Sequence, residues 1–321
     1  MNCVNCKEKI SLENKFCSFC GIKQENRIKI TYKKCNSCQE DIFEKAKFCD
    51  LCGYDIQKKL PLNIIKIEGD FFMMGSKIKL KEQKEIHKVK VNNFYLSKFL
   101  VTQKEYSLLM NENPSNFKNN TSRSSETLPI ENVSWFDAIK YCNTKSKKED
   151  LSVAYDENTG DLLDINGKIT NDTTKVKGYR LPTEAEWEFA AKGGKLRNIL
   201  NPFKYSGNNN LYSIASYKKN SPNKTIPVGL LEPNELGIFD MLGNVWEWCT
   251  DSYSFLPSEK INPNNFKAYK GGCFNLDEED ISIEKSCFSN PISKNQTFLK
   301  NKNGKETIIP AFVGFRIAIS E

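Results

Sequence analysis

The chain has 321 residues and a formal charge of +7, which allows one large domain plus a small one and only a mild basic excess. It holds no run of about 18 apolar residues, so no helix spans a membrane, and its first residues, MNCVNCKEKI, lack the apolar core of a secretory signal. A cytoplasmic, reducing home follows, in which close thiol pairs serve as metal ligands rather than disulfides.

Residues 1–58 read as a duplicated metal module. Cys3-x2-Cys6-x10-Cys17-x2-Cys20 recurs as Cys35-x2-Cys38-x10-Cys49-x2-Cys52, each cysteine displaced by 32 positions. The surroundings repeat too: Lys15-Phe16-Cys17 matches Lys47-Phe48-Cys49, and Gly21 matches Gly53. One Cys-x2-Cys turn presents two thiolates to an ion, and a second completes a tetrahedral shell, so the eight cysteines predict two zinc ions in tandem ribbons. Too small to bury a sizeable core, each ribbon depends on its metal for folding.

Residues 1–59 carry twelve Lys/Arg against eight Asp/Glu. Eight thiolates and two Zn²⁺ bring in a further four negative charges, so the metallated module is near neutral. A nucleic-acid binder needs positive surface to displace counterions, and no basic stripe interleaved with aromatics is present. The ribbons therefore read as a folding staple or a docking unit for a protein partner, with nucleic acid disfavoured.

A linker over 59–64, KLPLNI, precedes a second domain over 65–321. Ile64-Ile65-Lys66-Ile67 reads as its first strand, Phe71-Phe72-Met73-Met74 as a strand ending at Gly75, and Val89-Lys90-Val91 as a half-buried strand. Three helices are announced by capping boxes: Thr102…Glu105, Ser134…Asp137 and Thr183…Glu186. The third ends at Gly193-Gly194, suited to a left-handed cap. Turn pairs Thr159-Gly160 and Asn166-Gly167 predict a hairpin insertion within 149–178. Beyond residue 200 the sequence is loops and short apolar segments with no long helical period, and the class is α+β with much irregular structure.

Within the later half, Asp240-Met241-Leu242-Gly243-Asn244-Val245-Trp246-Glu247-Trp248-Cys249 concentrates the least replaceable residue types. Trp246 and Trp248, two apart, face one side of an extended strand, and Gly243-Asn244 suits a bend with positive φ. Two readings stand: a tight turn entering a core strand with its carboxylates as caps, or an oxygen-rich calcium site.

The large domain resembles the formylglycine-generating enzyme (sulfatase-modifying factor) family, whose fold is a variant of the C-type lectin fold. The resemblance rests on Phe72-Met73-Met74-Gly75-Ser76, on Phe94-Tyr95-Leu96-Ser97 with Val101-Thr102-Gln103, and on Pro129-Ile130-Glu131-Asn132-Val133-Ser134-Trp135. It continues in order through the stretches Gly178–Glu188 and Gly237–Trp248, then Lys270-Gly271-Gly272 and Gly314-Phe315-Arg316, covering about four fifths of the chain. It implies a structural calcium held by the side chains of Asp240 and Glu247 and the carbonyls of Gly243 and Val245.

The family's oxidases convert a sulfatase cysteine to formylglycine with a copper ion held by two cysteines, four and nine residues after the glycine pair. Soft thiolates suit Cu(I). Those positions here are Leu276 and Ile281, in the run Gly271-Gly272-Cys273-Phe274-Asn275-Leu276-Asp277-Glu278-Glu279-Asp280-Ile281. The arginines usual after this segment are also replaced, with Lys285 and Ser289 nearest their places.

Two function classes remain. One is a non-oxidase, lectin-like binding or scaffold protein, with an unknown ligand on the lectin-like domain. The other is an oxidase with an atypical thiol site, in which Cys273 and Cys287 form a displaced copper pair. Cys142 and Cys249 read as core. A second relative, the iron-dependent sulfoxide synthases, needs a histidine cluster; His87 is the chain's single histidine, on a charged stretch, and cannot build one.

Overall fold

The computed structural model describes residues 63–75, 86–118, 127–197, 202–253, 266–294 and 312–321, the strand backbones 296–300 and 306–310, and in the N-terminal part residues 5–9, 18–20, 32–34 and 41–43. The chain divides into two compact units, Met1–Leu62 and Asn63–Glu321. The first strand of the larger unit begins at Ile64, the last residue assigned to the linker from sequence.

In the N-terminal unit β1 (Tyr32–Lys34) and β2 (Asp41–Phe43) pair antiparallel, Tyr32 opposite Phe43 and Lys34 opposite Asp41. The sequence joining them contains Cys35-x2-Cys38. In the first repeat Lys7, directly after Cys6, has a φ of 63°, a left-handed turn of the kind a thiolate-presenting knuckle needs. Cys6 is half-buried and Cys20 exposed. Cys3, Cys17, Cys35, Cys38, Cys49 and Cys52, and so the four-thiolate shells, lie outside the described residues.

The larger unit opens with β3 (Ile64–Ile67), β4 (Phe71–Met74) and β5 (His87–Lys90), each close to its expected place, and then β6 (Phe94–Ser97), which the sequence reading does not mark as a strand. The helices α1 (Gln103–Met110), α2 (Trp135–Lys148) and α3 (Glu184–Ala191) each begin with a full reciprocal capping box, including the shorter Asp137 at α2. Asn111 closes α1 at φ 58°, and Gly193 follows α3 at φ 84°. A one-turn helix, α4 (Leu211–Ile214), is the only α-helix described after residue 200. The remaining strands are β7 (Trp246–Tyr253), β8 (Phe266–Lys270), β9 (Ser286–Ser289), β10 (Gln296–Lys300), β11 (Glu306–Pro310), β12 (Val313–Gly314) and β13 (Ala318–Ser320).

The central sheet runs β12-β7-β8-β9, parallel between β12 and β7 and antiparallel elsewhere. A second sheet, β13-β6-β3, brings the last strand beside the first ones, while β4–β5 and β10–β11 form separate hairpins. Between them lies the core, which includes all four tryptophans. Trp246 and Trp248 share one face of β7, their rings 5.2 Å and 5.3 Å from that of Tyr269 on β8. Cys142 and Cys249 are fully buried, as the sequence led us to expect.

The insertion at 149–178 reverses at both expected turn pairs, with Gly160 at φ 79° and Gly167 at φ 73°. Two isolated antiparallel bridges, Tyr155 to Leu162 and Leu163 to Ile169, stand in place of a continuous ladder, and backbone bonds cross from Leu163 N–H to Ala154 O and from Thr170 N–H to Leu162 O. Asp156 and Asp164 brace the turns: each carboxylate accepts two nearby amide N–H groups, from Asn158 and Thr159 and from Asn166 and Lys168.

Candidate functional site at the Gly-Gly loop

Two segments singled out from the sequence meet in space: the turn 240–245 leading into β7, and the loop after β8. Gly243 N–H donates to Gly271 O at 2.9 Å, and Phe274 N–H to Asn244 O at 3.0 Å. The bend expected at Gly243-Asn244 is present, with φ of 76° and 59°. Only glycine fits the first position, because a Cβ there would lie 2.3 Å from Ser216 O. Asn244 fixes the turn from its side chain, accepting from Ile226 N–H and donating to Ile226 O, both at 3.1 Å.

Glu247 is fully buried and paired in bidentate fashion with Arg316, Nε to Oε2 at 2.6 Å and Nη2 to Oε1 at 2.8 Å. Trp187 Nε1 donates to the same Oε2 at 2.9 Å. Arg316 also donates to the carbonyls of Ser97 and Phe239. One carboxylate therefore ties β7 to α3 and, through Arg316, to β6 and the loop before Asp240.

Asp240 is buried in the left-handed region, φ 56°, and its Oδ2 accepts from Gly229 N–H at 2.7 Å. Burial pushes its carboxyl up to about 6, against the pull of the Gly229 amide and of Arg316. Asp240 and Glu247 bring two negative charges to this core and Arg316 returns one positive charge. Asp240 and Glu247 are donors of the hard-oxygen type that calcium takes, but both Glu247 oxygens are engaged by Arg316 and Trp187 here.

Copper is a different matter. Leu276 and Ile281 are both buried and both reach Gly272: a Cβ there would lie 3.1 Å from Ile281 Cγ1 and 3.5 Å from Leu276 Cδ1. The fold thus assembles the two positions that hold copper in the oxidases and fills them with hydrocarbon. Cys273 and Cys287 are buried and not in a disulfide. Burial pushes the Cys273 thiol up to about 12, outweighing the backbone N–H groups of Asn275 and Phe312 aimed at its sulfur. Its Sγ donates to Asn275 Oδ1 at 2.9 Å. At neutral pH it is a satisfied thiol, not a soft thiolate ligand, and the residues present do not fit copper.

The acidic run 277–280 is mostly exposed, and three of its carboxylates have partners. Asp277 meets Lys218 at 2.8 Å, Asp280 meets Lys285 at 2.8 Å, and Glu278 accepts from the Tyr205 hydroxyl at 2.9 Å. Lys285, at a former arginine position, closes this loop. His87 lies exposed at one end of β5.

The sequence reading passed over Lys267, which is buried on β8. Its Nζ lies 4.0 Å from the centre of the Trp135 ring and donates to Ser252 Oγ at 2.7 Å. Burial lowers its pKa from 10.5 to about 8, with Asp251 and Asp161 pulling the other way. Between those values the unfolded chain holds the proton and the folded chain releases it, so stability rises with pH across that window. Below it, the buried charge costs about 3 kcal/mol, before the ring's attraction is counted. Lys267→Met is expected to stabilise the fold by roughly 1–3 kcal/mol at pH 7, and the gain should vanish by pH 10.5. Urea unfolding of both chains across that range checks this; a variant less stable than wild type at pH 7 would refute it.

A model of the sulfatase-modifying factor enzyme 1-like domain matches residues 55–321. The chain belongs to that family. A double zinc ribbon model matches residues 3–53, in agreement with the cysteine repeat. The chaperone protein LppX of Paenibacillus barcinonensis is 37% identical over 238 residues, 65% of this chain and 78% of that protein. A formylglycine-generating enzyme of Thermomonospora curvata is 33% identical over 122 residues, 30% of this chain and 39% of the enzyme. Among solved structures, Treponema denticola variable protein 1 superposes with a TM-score of 0.62 at 26% identity, covering 80% of this chain and 95% of that one. CarF does so with 0.57 at 22% identity, covering 80% and 98%, and shares the fold. The α+β, C-type-lectin-like architecture expected from the family resemblance is the observed one.

Proposed function

We propose that this sulfatase-modifying factor family member is not an oxidase but a binding or scaffold protein. Its lectin-like domain displays loops around a rigid core to a ligand. Its eight ribbon cysteines hold two zinc ions and dock a protein partner, and Asp240, Gly243, Val245 and Glu247 hold a bracing calcium. The reducing conditions that such thiolate sites need favour the cytoplasm, and no helix among the described residues is long and apolar enough to cross a membrane.

The observation that carries this reading is the Leu276–Ile281 pair packed on Gly272, hydrocarbon where electron transfer needs sulfur. The Paenibacillus relative is named a chaperone protein, not an oxidase, which supports this reading. The competing reading, an oxidase with Cys273 and Cys287 as a displaced copper pair, is opposed by the high pKa and the occupied hydrogen bonds of the Cys273 thiol.

Oxygen uptake with a cysteine-containing peptide after Cu(I) loading tests the choice. The expected result is no uptake above that of free copper, and no change in Cys273→Ser. Peptide-dependent turnover that Cys273→Ser abolishes would restore the oxidase.

A further inference from the structure

We propose that the outer face of the β4–β5 hairpin is a docking surface for anionic phospholipid. In the antiparallel register Phe71 stands opposite Lys90 and Met73 opposite Lys88. Directly paired residues share a face, so two apolar side chains of β4 stand beside two basic side chains of β5 on one side of the hairpin. Phe71 is 50% and Met73 52% exposed, and Lys88 Nζ lies 4.7 Å from the centre of the Phe71 ring. On the opposite side Phe72 and Met74 are buried, with the Phe72 ring 5.3 Å from that of Phe189 on α3. That anchorage holds the outward residues on a firm platform.

Two outward-facing carbonyls of β4 are already taken by cations. Phe71 O accepts from Arg197 Nη2 at 2.9 Å and Met73 O from Lys192 Nζ at 3.2 Å. Those cations obstruct addition of a further strand at this edge, so the face, not the edge, is what the hairpin offers. The described acids nearby have partners of their own. Asp70 accepts from Phe71 N–H at 2.7 Å, Glu68 pairs with Lys195 at 3.1 Å, and Glu284 lies 3.5 Å from Lys192. Among the described residues no carboxylate pairs with Lys88, Lys90 or Arg197.

Size and charge decide the occupant. The face is about 13 Å long and two strands wide, far short of the roughly 800 Å² per partner that a stable protein interface buries. Half-exposed apolar side chains rimmed by unpaired cations match the boundary of a bilayer, where the ring enters the headgroup layer and the lysines meet lipid phosphates. Such peripheral contact requires no spanning segment.

Co-sedimentation of the full chain with vesicles tests this, using phosphatidylcholine alone and phosphatidylcholine with about one third phosphatidylglycerol. Binding to the anionic vesicles is expected to be at least about tenfold tighter and to weaken as salt is raised. Lys88→Glu with Lys90→Glu should lower it by about tenfold or more, and Phe71→Ser with Met73→Ser by several-fold. All four side chains are exposed, so near-UV circular dichroism should stay unchanged in both variants. Absence of binding, equal binding to neutral vesicles, or binding unaffected by either pair of substitutions would overturn the proposal. The last result would assign any affinity to basic residues elsewhere in the chain.

Discussion

Glu247→Ala is expected to destabilise the larger unit by about 3–5 kcal/mol, one of the heaviest single-residue losses in this protein. The substitution leaves the Arg316 guanidinium fully buried with its two closest charged contacts gone. It also strands the Trp187 indole N–H. The three carbonyl acceptors of Arg316 remain, but neutral oxygens do not repay the desolvation of a cation. Glu247→Ala combined with Arg316→Met should recover part of the loss, since removing both partners spares the uncompensated charge. All four tryptophans belong to the larger unit, so indole fluorescence during urea unfolding reports on it alone. A loss under about 1 kcal/mol would mean that Arg316 finds another partner or water, and that the buried pair does not organise this core.

The second large effect is expected on metal removal. Apparent binding energies for structural zinc are on the order of 10–16 kcal/mol, comparable with the whole stability of a domain. A strong chelator should therefore unfold the N-terminal unit and leave the tryptophan signal of the larger one folded. Thiol titration gives the count directly. Of twelve cysteines, the eight of the repeat should become reactive after chelation without denaturant. Cys142, Cys249, Cys273 and Cys287 are buried and should react only once the larger unit unfolds. If calcium is bound, the same chelation should lower the melting temperature of the larger unit, and added Ca²⁺ alone should restore it. Eight thiols reactive before chelation would refute the ribbon assignment, and a melting temperature indifferent to Ca²⁺ would refute the calcium brace.

The helix starts were legible in the sequence because a capping box closes within three residues. Thr102 and Glu105, Ser134 and Asp137, and Thr183 and Glu186 find each other whatever the rest of the chain does. The short apolar runs of β3 and β4, the alternation at Val89-Lys90-Val91 and the positive φ at Gly243-Asn244 were legible for the same reason. In the insertion at 149–178 the reversals were legible but not the length of pairing, because turn pairs predict where the chain reverses and not how far the flanking strands zip; each reversal closes with one isolated bridge. Lys267 was missed since nothing near it in sequence signals that strand pairing will lay its amine over Trp135.

What the sequence determined by itself is chemical identity: eight thiols in a matched repeat, carboxylates flanking a Gly-Asn bend, and carbon in place of sulfur at Leu276 and Ile281. Residue types and short spacings are written into the chain before it folds. Tertiary structure alone decided who meets whom. It joined Glu247 to an arginine 69 positions away, paired the acidic run with Lys218 and Lys285, and closed Leu276 and Ile281 over Gly272. Those contacts depend on how the strands cross and which charges lose their water together, and no local pattern encodes either.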